Sequence, residues 1–300
     1  MAENGDIANR SEAVHPAKVR YIQSAATSWS QFETDYINGL SLTDKQGGRA
    51  PLYIIPGNHD VTNAIGFYKP MNPTTDATAM AEIYNLMMKP ATPRTKNTYN
   101  YIRDKIFFSK DIGGVHFVFL TIWPDSVART WMESDLKNVS ATTPVILFTH
   151  DQPDIDVRHL TNPNGAHDIN STDKFENMVA DQATDADSSG KLTSHAPTTT
   201  AQRNLVAFLK AHKNIVAYFH GHEHINGTYT YTGPDHDISL NAVRVDSPMK
   251  GVDSAKDPTQ LAFIVVSIDP NARTMTVRDY MWYTQSWGKS VTFSLGPRPQ

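Results

Sequence analysis

Residues 52–62 read LYIIPGNHDVT. The apolar run Leu52–Ile55 sits between Pro51 and Pro56, which bounds a short buried strand. It stops at Gly57, Asn58, His59 and Asp60. An amide, an imidazole and a carboxylate in succession are poor continuations of a buried strand. They are a plausible set of groups for chemistry at its end, because open α/β sheets build their sites at the carboxyl ends of strands.

Two later runs end the same way. Residues 145–151 read VILFTHD, and residues 215–224 read IVAYFHGHEH. Each is bulky and apolar, then turns abruptly to His150 and Asp151, or to His220, His222, Glu223 and His224. Imidazole, amide oxygen and carboxylate donors suit Mn, Fe or Zn as divalent ions. The chain has no cysteine, which excludes disulfides, thiolate metal sites and Cys nucleophiles together.

Composition narrows the partners. The chain has 300 residues, 39% hydrophobic and 19% charged, with a net charge of −4. That is enough for a globular core without staples. No basic run is present to neutralise a row of phosphates, so long nucleic acid is not an expected partner. No apolar run reaches membrane-spanning length, and the opening residues are polar. The substrate expected is small; protein partners and compartment are left open.

Around these endings the chain alternates helix and strand. Helical spacing covers Ala13–Asn38 and Ala77–Met88, then residues 128–139 and 201–212. Two strand-like runs flank Gly113 and Gly114 as a hairpin. After residue 225 the sequence turns to strands: NGTYTYT, ISLNAVRVD, LAFIVVSID and ARTMTVRDYMW. Residues 152–199 are long and polar, and read as an insertion or active-site loop inside a single domain over 1–300. With residues 61–76 they would rim a cleft, with Arg10, Arg158 and Lys191 as candidate phosphate contacts. His116 reads as structural and His220 as a buried neighbour of the motif. His167, His195 and His236 read as surface, and Trp282, Tyr283 and Trp287 as core.

The motifs GDIANR at 5–10, GNHD at 57–60, LFTHD at 147–151 and HGHEH at 220–224 resemble the calcineurin-like metallophosphoesterases. The resemblance implies an α/β fold: a four-layer αββα sandwich of two mixed β-sheets, here lacking its first strand, with the strand-rich tail forming the second sheet. It implies that Asp6 bridges two metals. Asn58, His150 and His222 would complete the second metal site, and His224 would serve the first. His59 would stand outside the metals, steadying phosphoryl oxygens and protonating the leaving alkoxide, with Asp60 as its orienting partner. The activity implied is hydrolysis of phosphate monoesters or diesters by metal-activated water.

The family's D-x-H motif should precede "GD", and only four residues stand before Gly5. Met1 therefore reads as an internal start, a truncated gene model or the edge of a deletion, and an export signal could lie upstream if the natural start does. The second site keeps Asp6, Asn58, His150 and His222; the first keeps Asp6 and His224. One ion is expected to bind firmly and a second weakly or not at all. The rival reading is a catalytically weak or inactive binding or scaffold protein that has kept the fold.

Overall fold

The computed structural model describes residues 1–7, 25–62, 78–101, 103–161, 178–185, 198–247 and 251–299. The chain falls into two compact units: Met1–Ile106 with Val157–Pro197, and Phe107–Asp156 with Thr198–Gln300.

The first unit begins with β1 (Ala2–Glu3), a strand with no apolar run to announce it. It pairs in parallel with β2 (Tyr53–Ile54), and Ile55 N–H donates to Glu3 O at 3.1 Å. Ile54 and Ile55 are fully buried, as the apolar run requires. Helix α1 (Ala25–Phe32) runs into a π-helical turn, Glu33–Asn38, so the expected long helix is visible from Ala25 onward. The short α2 (Asn58–Thr62) follows β2 directly. Helix α3 (Thr78–Met88) buries Ala79, Met80, Ala81 and Ile83.

The second unit is a sheet-on-sheet sandwich. Strands β3 (Phe107–Ile112) and β4 (Val115–Leu120) form the expected hairpin, with Gly113 and Gly114 at φ 59° and 78° in its turn. Then come α4 (Ser126–Leu136), β5 (Val145–Phe148), α5 (Thr199–Ala211), β6 (Ile215–His220), β7 (Gly227–Tyr231) and β8 (Leu240–Arg244). The six strands lie in the order β3-β4-β5-β6-β8-β7, and β4, β5, β6 and β8 run parallel. Every residue of β6 is buried, which is why it reads as an unbroken apolar run rather than an alternation. The carboxylate of Asp125 caps α4 by accepting Ala128 N–H at 2.7 Å. His116 is buried between Asp111 and Asp135 at 2.8 Å each and ties the hairpin to α4.

A second, antiparallel sheet has the order β11-β10-β9, from β9 (Ala262–Asp269), β10 (Thr274–Met281) and β11 (Ser286–Ser294). Its Met275, Val277 and Leu295 flank pack with Val115, Ile146, Val216, Ala217, Phe219 and Val243 of the larger sheet. The mixed α/β architecture of two sheets with flanking helices is as expected.

Two details differ. Strands β7 and β8 do not join the second sheet; they extend the first. Leu240, Ala242 and Val243 are buried beside β6, and the alternating Thr and Tyr of β7 suit the sheet edge. Trp282, Tyr283 and Trp287 are not core either, being 62%, 68% and 50% exposed. Met275 and Val277 already fill the inner face, so alternation turns Trp287 outward, where it stacks beneath the Arg278 guanidinium at 4.0 Å. Trp282 and Tyr283 lie in the turn between β10 and β11. Among the described residues, no helix is long and apolar enough to cross a membrane.

Candidate metal centre

In the second unit, adjacency of parallel strands assembles the site. Because β4, β5 and β6 are neighbours, their carboxyl ends lie side by side. His150 N–H and Asp151 N–H both donate to Ile122 O, just beyond β4, at 3.1 and 2.9 Å. Gly221 N–H donates to His150 O at 3.0 Å, joining the β5 and β6 loops directly. In the HGHEH stretch, His222 and His224 adopt φ 62° and 56°. Left-handed backbone at a non-glycine residue costs on the order of 1–3 kcal/mol and gathers at functional sites. Here it turns the His222 ring back toward β5.

The result is a convergence of ligand atoms. His150 Nε2 lies 3.3 Å from His222 Nδ1, and Asp151 Oδ1 lies 3.9 Å from the same nitrogen. His150, Asp151 and His222 each offer one ligand atom within 4.8 Å of the others. His150 and Asp151 are buried; the His222 side chain is 13% exposed. Two imidazoles and a carboxylate so arranged fit a divalent ion. On its other side His222 Nε2 faces Asp156 Oδ2 at 3.2 Å. His224 lies outside that convergence; its carbonyl accepts Val252 N–H at 2.8 Å. Glu223 of the same motif pairs with Arg244 on β8 at 3.3 Å.

His220 is fully buried and neutral in character. Burial pushes its imidazole down to about 4. A carbonyl can only accept, so Nδ1–H donates to Gly221 O at 3.0 Å, and Nε2 accepts from the Tyr229 hydroxyl at 2.9 Å.

In the first unit the "GD" and "GNHD" motifs meet. Asp60 is fully buried. Its Oδ2 accepts Asp6 N–H at 2.7 Å, Gly57 N–H at 3.0 Å and Ile7 N–H at 3.3 Å. His59 N–H donates to Asp6 Oδ1 at 3.0 Å, and His59 Nε2 lies 4.0 Å from Asp6 Oδ2. Asp6 sits at φ 63°, the same left-handed region as His222 and His224. Asn58 is 8% exposed and opens α2. Asp60 thus holds the backbone of both motifs, a task the spacing of the sequence does not reveal. Burial, with Asp60 and Asp6 adding negative charge, pushes the Glu3 carboxyl up to about 7.

Asp151 and Asp156 are site residues that the motif pattern of the sequence does not single out. The signal was a stretch of acids, THDQPDID at 149–156, directly behind His150. Among the candidate phosphate contacts, Arg158 lies in a 3₁₀ turn, Val157–His159. Arg10, Lys191, His167, His195 and most of the proposed rim at 61–76 lie outside the described residues.

The fold and the histidine–aspartate cluster are those of a metal-dependent hydrolase. The profile of the calcineurin-like phosphoesterases matches residues 4–226, and the chain belongs to that family. No curated protein matches it significantly. Among solved structures it is similar to a dimetal phosphatase from Danio rerio at 11% identity, with a TM-score of 0.44, covering 82% of this chain and 73% of that one.

Proposed function

We propose that this chain is a single-ion member of the family, binding small phosphate esters and hydrolysing them slowly. The observation that supports this reading is the 3.3 Å approach of His150 Nε2 to His222 Nδ1 beside Asp151. Mn, Fe or Zn suits such a donor set. The family pattern would make Asp6 and Asn58 metal ligands as well, and give His224 to a second, weaker ion. A divalent ion bound here would supply positive charge to the phosphoryl group and make water more acidic.

The chain's own residues do the rest. His150 and His222 would hold the ion as neutral imidazoles. Asn58 would ligate through its amide oxygen without adding negative charge, which keeps the site attractive to a phosphate dianion. His59 Nε2 would donate to a phosphoryl oxygen, then to the leaving alkoxide. Loss of one good electrostatic contact to the transition state costs roughly 10²–10³ in rate. A site short of one ion should be slower than a complete one by at least that much.

A binding or scaffold protein that has kept the fold is the second reading; His59, with Nε2 4.0 Å from Asp6 Oδ2, favours the hydrolase over it. A binding or scaffold protein has no need of a general acid. An assay with an aryl phosphate and a bis-aryl phosphate in the presence of Mn separates the two. Slow turnover that His59→Asn lowers further supports the proposal. Turnover indifferent to His59→Asn removes His59 from the mechanism. No turnover by a protein with one ion bound leaves binding as the function.

A further inference from the structure

Nothing in the family pattern explains Asp156. Its backbone is built into the site: Asp156 N–H donates to Asp151 Oδ2 at 3.3 Å, and Ile155 N–H to Gln152 O at 2.9 Å. The loop carrying it is pinned from three further sides. Thr149 Oγ1 and the Tyr218 hydroxyl donate to Asp151 O at 2.9 and 3.0 Å. Trp123 Nε1 donates to Pro153 O at 3.2 Å, and Thr198 Oγ1 to Asp154 O at 2.8 Å. The side chain so held ends with Oδ2 at 3.2 Å from His222 Nε2 and is only 16% exposed.

We propose that Asp156 is a positioning residue for the metal centre: it holds His222 in the tautomer protonated at Nε2, leaving the Nδ1 lone pair directed alongside His150 Nε2. The inference rests on the single-ion reading above and adds the residue that prepares its second imidazole.

The tautomer follows from who can donate. A carboxylate only accepts, so a bond between Asp156 Oδ2 and a neutral His222 ring places the proton on Nε2. Asp151 pulls the other way, since its Oδ1 would welcome a proton on Nδ1. Distance decides between the two carboxylates: 3.2 Å is a hydrogen bond, and 3.9 Å is not; His150 Nε2, 3.3 Å from Nδ1, can donate to it as readily as accept from it and so fits either tautomer. With the proton on Nε2, Nδ1 has a lone pair to give. The opposite tautomer would present N–H toward His150 and repel a cation. A carboxylate behind a ligating imidazole also makes it a stronger donor, and losing such a partner costs 10–100-fold in metal affinity.

The test uses the full chain and Mn²⁺ as probe. Calorimetric titration should show Asp156→Ala binding Mn²⁺ roughly 10–100-fold more weakly at unchanged stoichiometry. Asp156→Asn, whose amide oxygen still accepts, should recover most of that loss and guards against misfolding. The spectroscopic readout needs no metal: ¹⁵N NMR of the metal-free protein should show His222 protonated at Nε2, and a tautomer mixture in Asp156→Ala. A His222 protonated at Nδ1 in the parent overturns the inference, as does Mn²⁺ affinity indifferent to Asp156→Ala. A stoichiometry that drops by one in that variant overturns it too, making Asp156 a ligand. A parent that binds no Mn²⁺ at all sinks the single-ion reading itself, and with it any metal role for Asp156.

Discussion

Asp60 Oδ2 accepts the Asp6 N–H at 2.7 Å across 54 residues, and the same oxygen accepts from Gly57 and Ile7. One buried carboxylate therefore clasps the backbones of two motifs. Asp60→Ala should destabilise the protein by about 2–4 kcal/mol, since it strands one buried and two partly buried N–H donors at once. Asp60→Asn keeps one acceptor oxygen and should lose less. Urea unfolding of the two variants ranks them, and equal losses would mean the carboxylate is not the clasp.

Glu3 gives stability an acid-favouring component. Its folded-state carboxyl is raised from 4.5 to about 7. Between those values the folded protein keeps a proton that the unfolded chain has released. Stability from this group is therefore greatest below pH 4.5 and falls as pH rises toward 7, by about 3 kcal/mol in all. Glu3→Gln should be more stable than the parent at pH 8 and should lack this component. Thermal melts from pH 4.5 to 8 provide the comparison.

His220 contributes the opposite slope. Its folded value, about 4, lies below the 6.5 of an unfolded chain. As pH falls from 6.5 toward 4, the unfolded state takes up a proton that the buried ring refuses, so stability drops by about 3 kcal/mol over that window. His220→Phe should lose the Tyr229 bond at every pH yet flatten the acid side of the profile. A variant with the parent's slope would assign that slope elsewhere.

Metal content after exhaustive dialysis should be close to one ion per chain. It should fall toward zero in His150→Ala or His222→Ala, whose rings approach to 3.3 Å. Chelation should abolish turnover, and Mn should restore it. Two tightly held ions would contradict the single-ion reading.

The outward aromatics and the inner face of the small sheet should respond oppositely. Trp282→Ser, at a side chain 62% exposed, should change stability by no more than about 0.5 kcal/mol. Met275→Ala, at a fully buried one, should cost about 2–5 kcal/mol. A large loss at Trp282 would mean that its face is covered in solution.

The chain's periodicity and punctuation were enough to read the local elements: β5 and β6 as unbroken apolar runs, the hairpin around Gly113 and Gly114, and α4 and α5 by helical spacing. They also marked three strand ends rich in metal-capable groups, because burial demands apolar side chains until the strand stops. Periodicity is silent about pairing. It did not show that β7 and β8 continue the large sheet, or which face of β11 Trp287 takes, since both depend on which neighbour completes the hydrogen bonding and on which face is already filled. Nor did it reveal Asp60 as a clasp or Asp156 behind His222. Those roles need backbone N–H groups and ring nitrogens brought within about 3 Å from distant parts of the chain, and only the parallel register of β4, β5 and β6, with the left-handed turn at His222, brings His150 and His222 together beside Asp156.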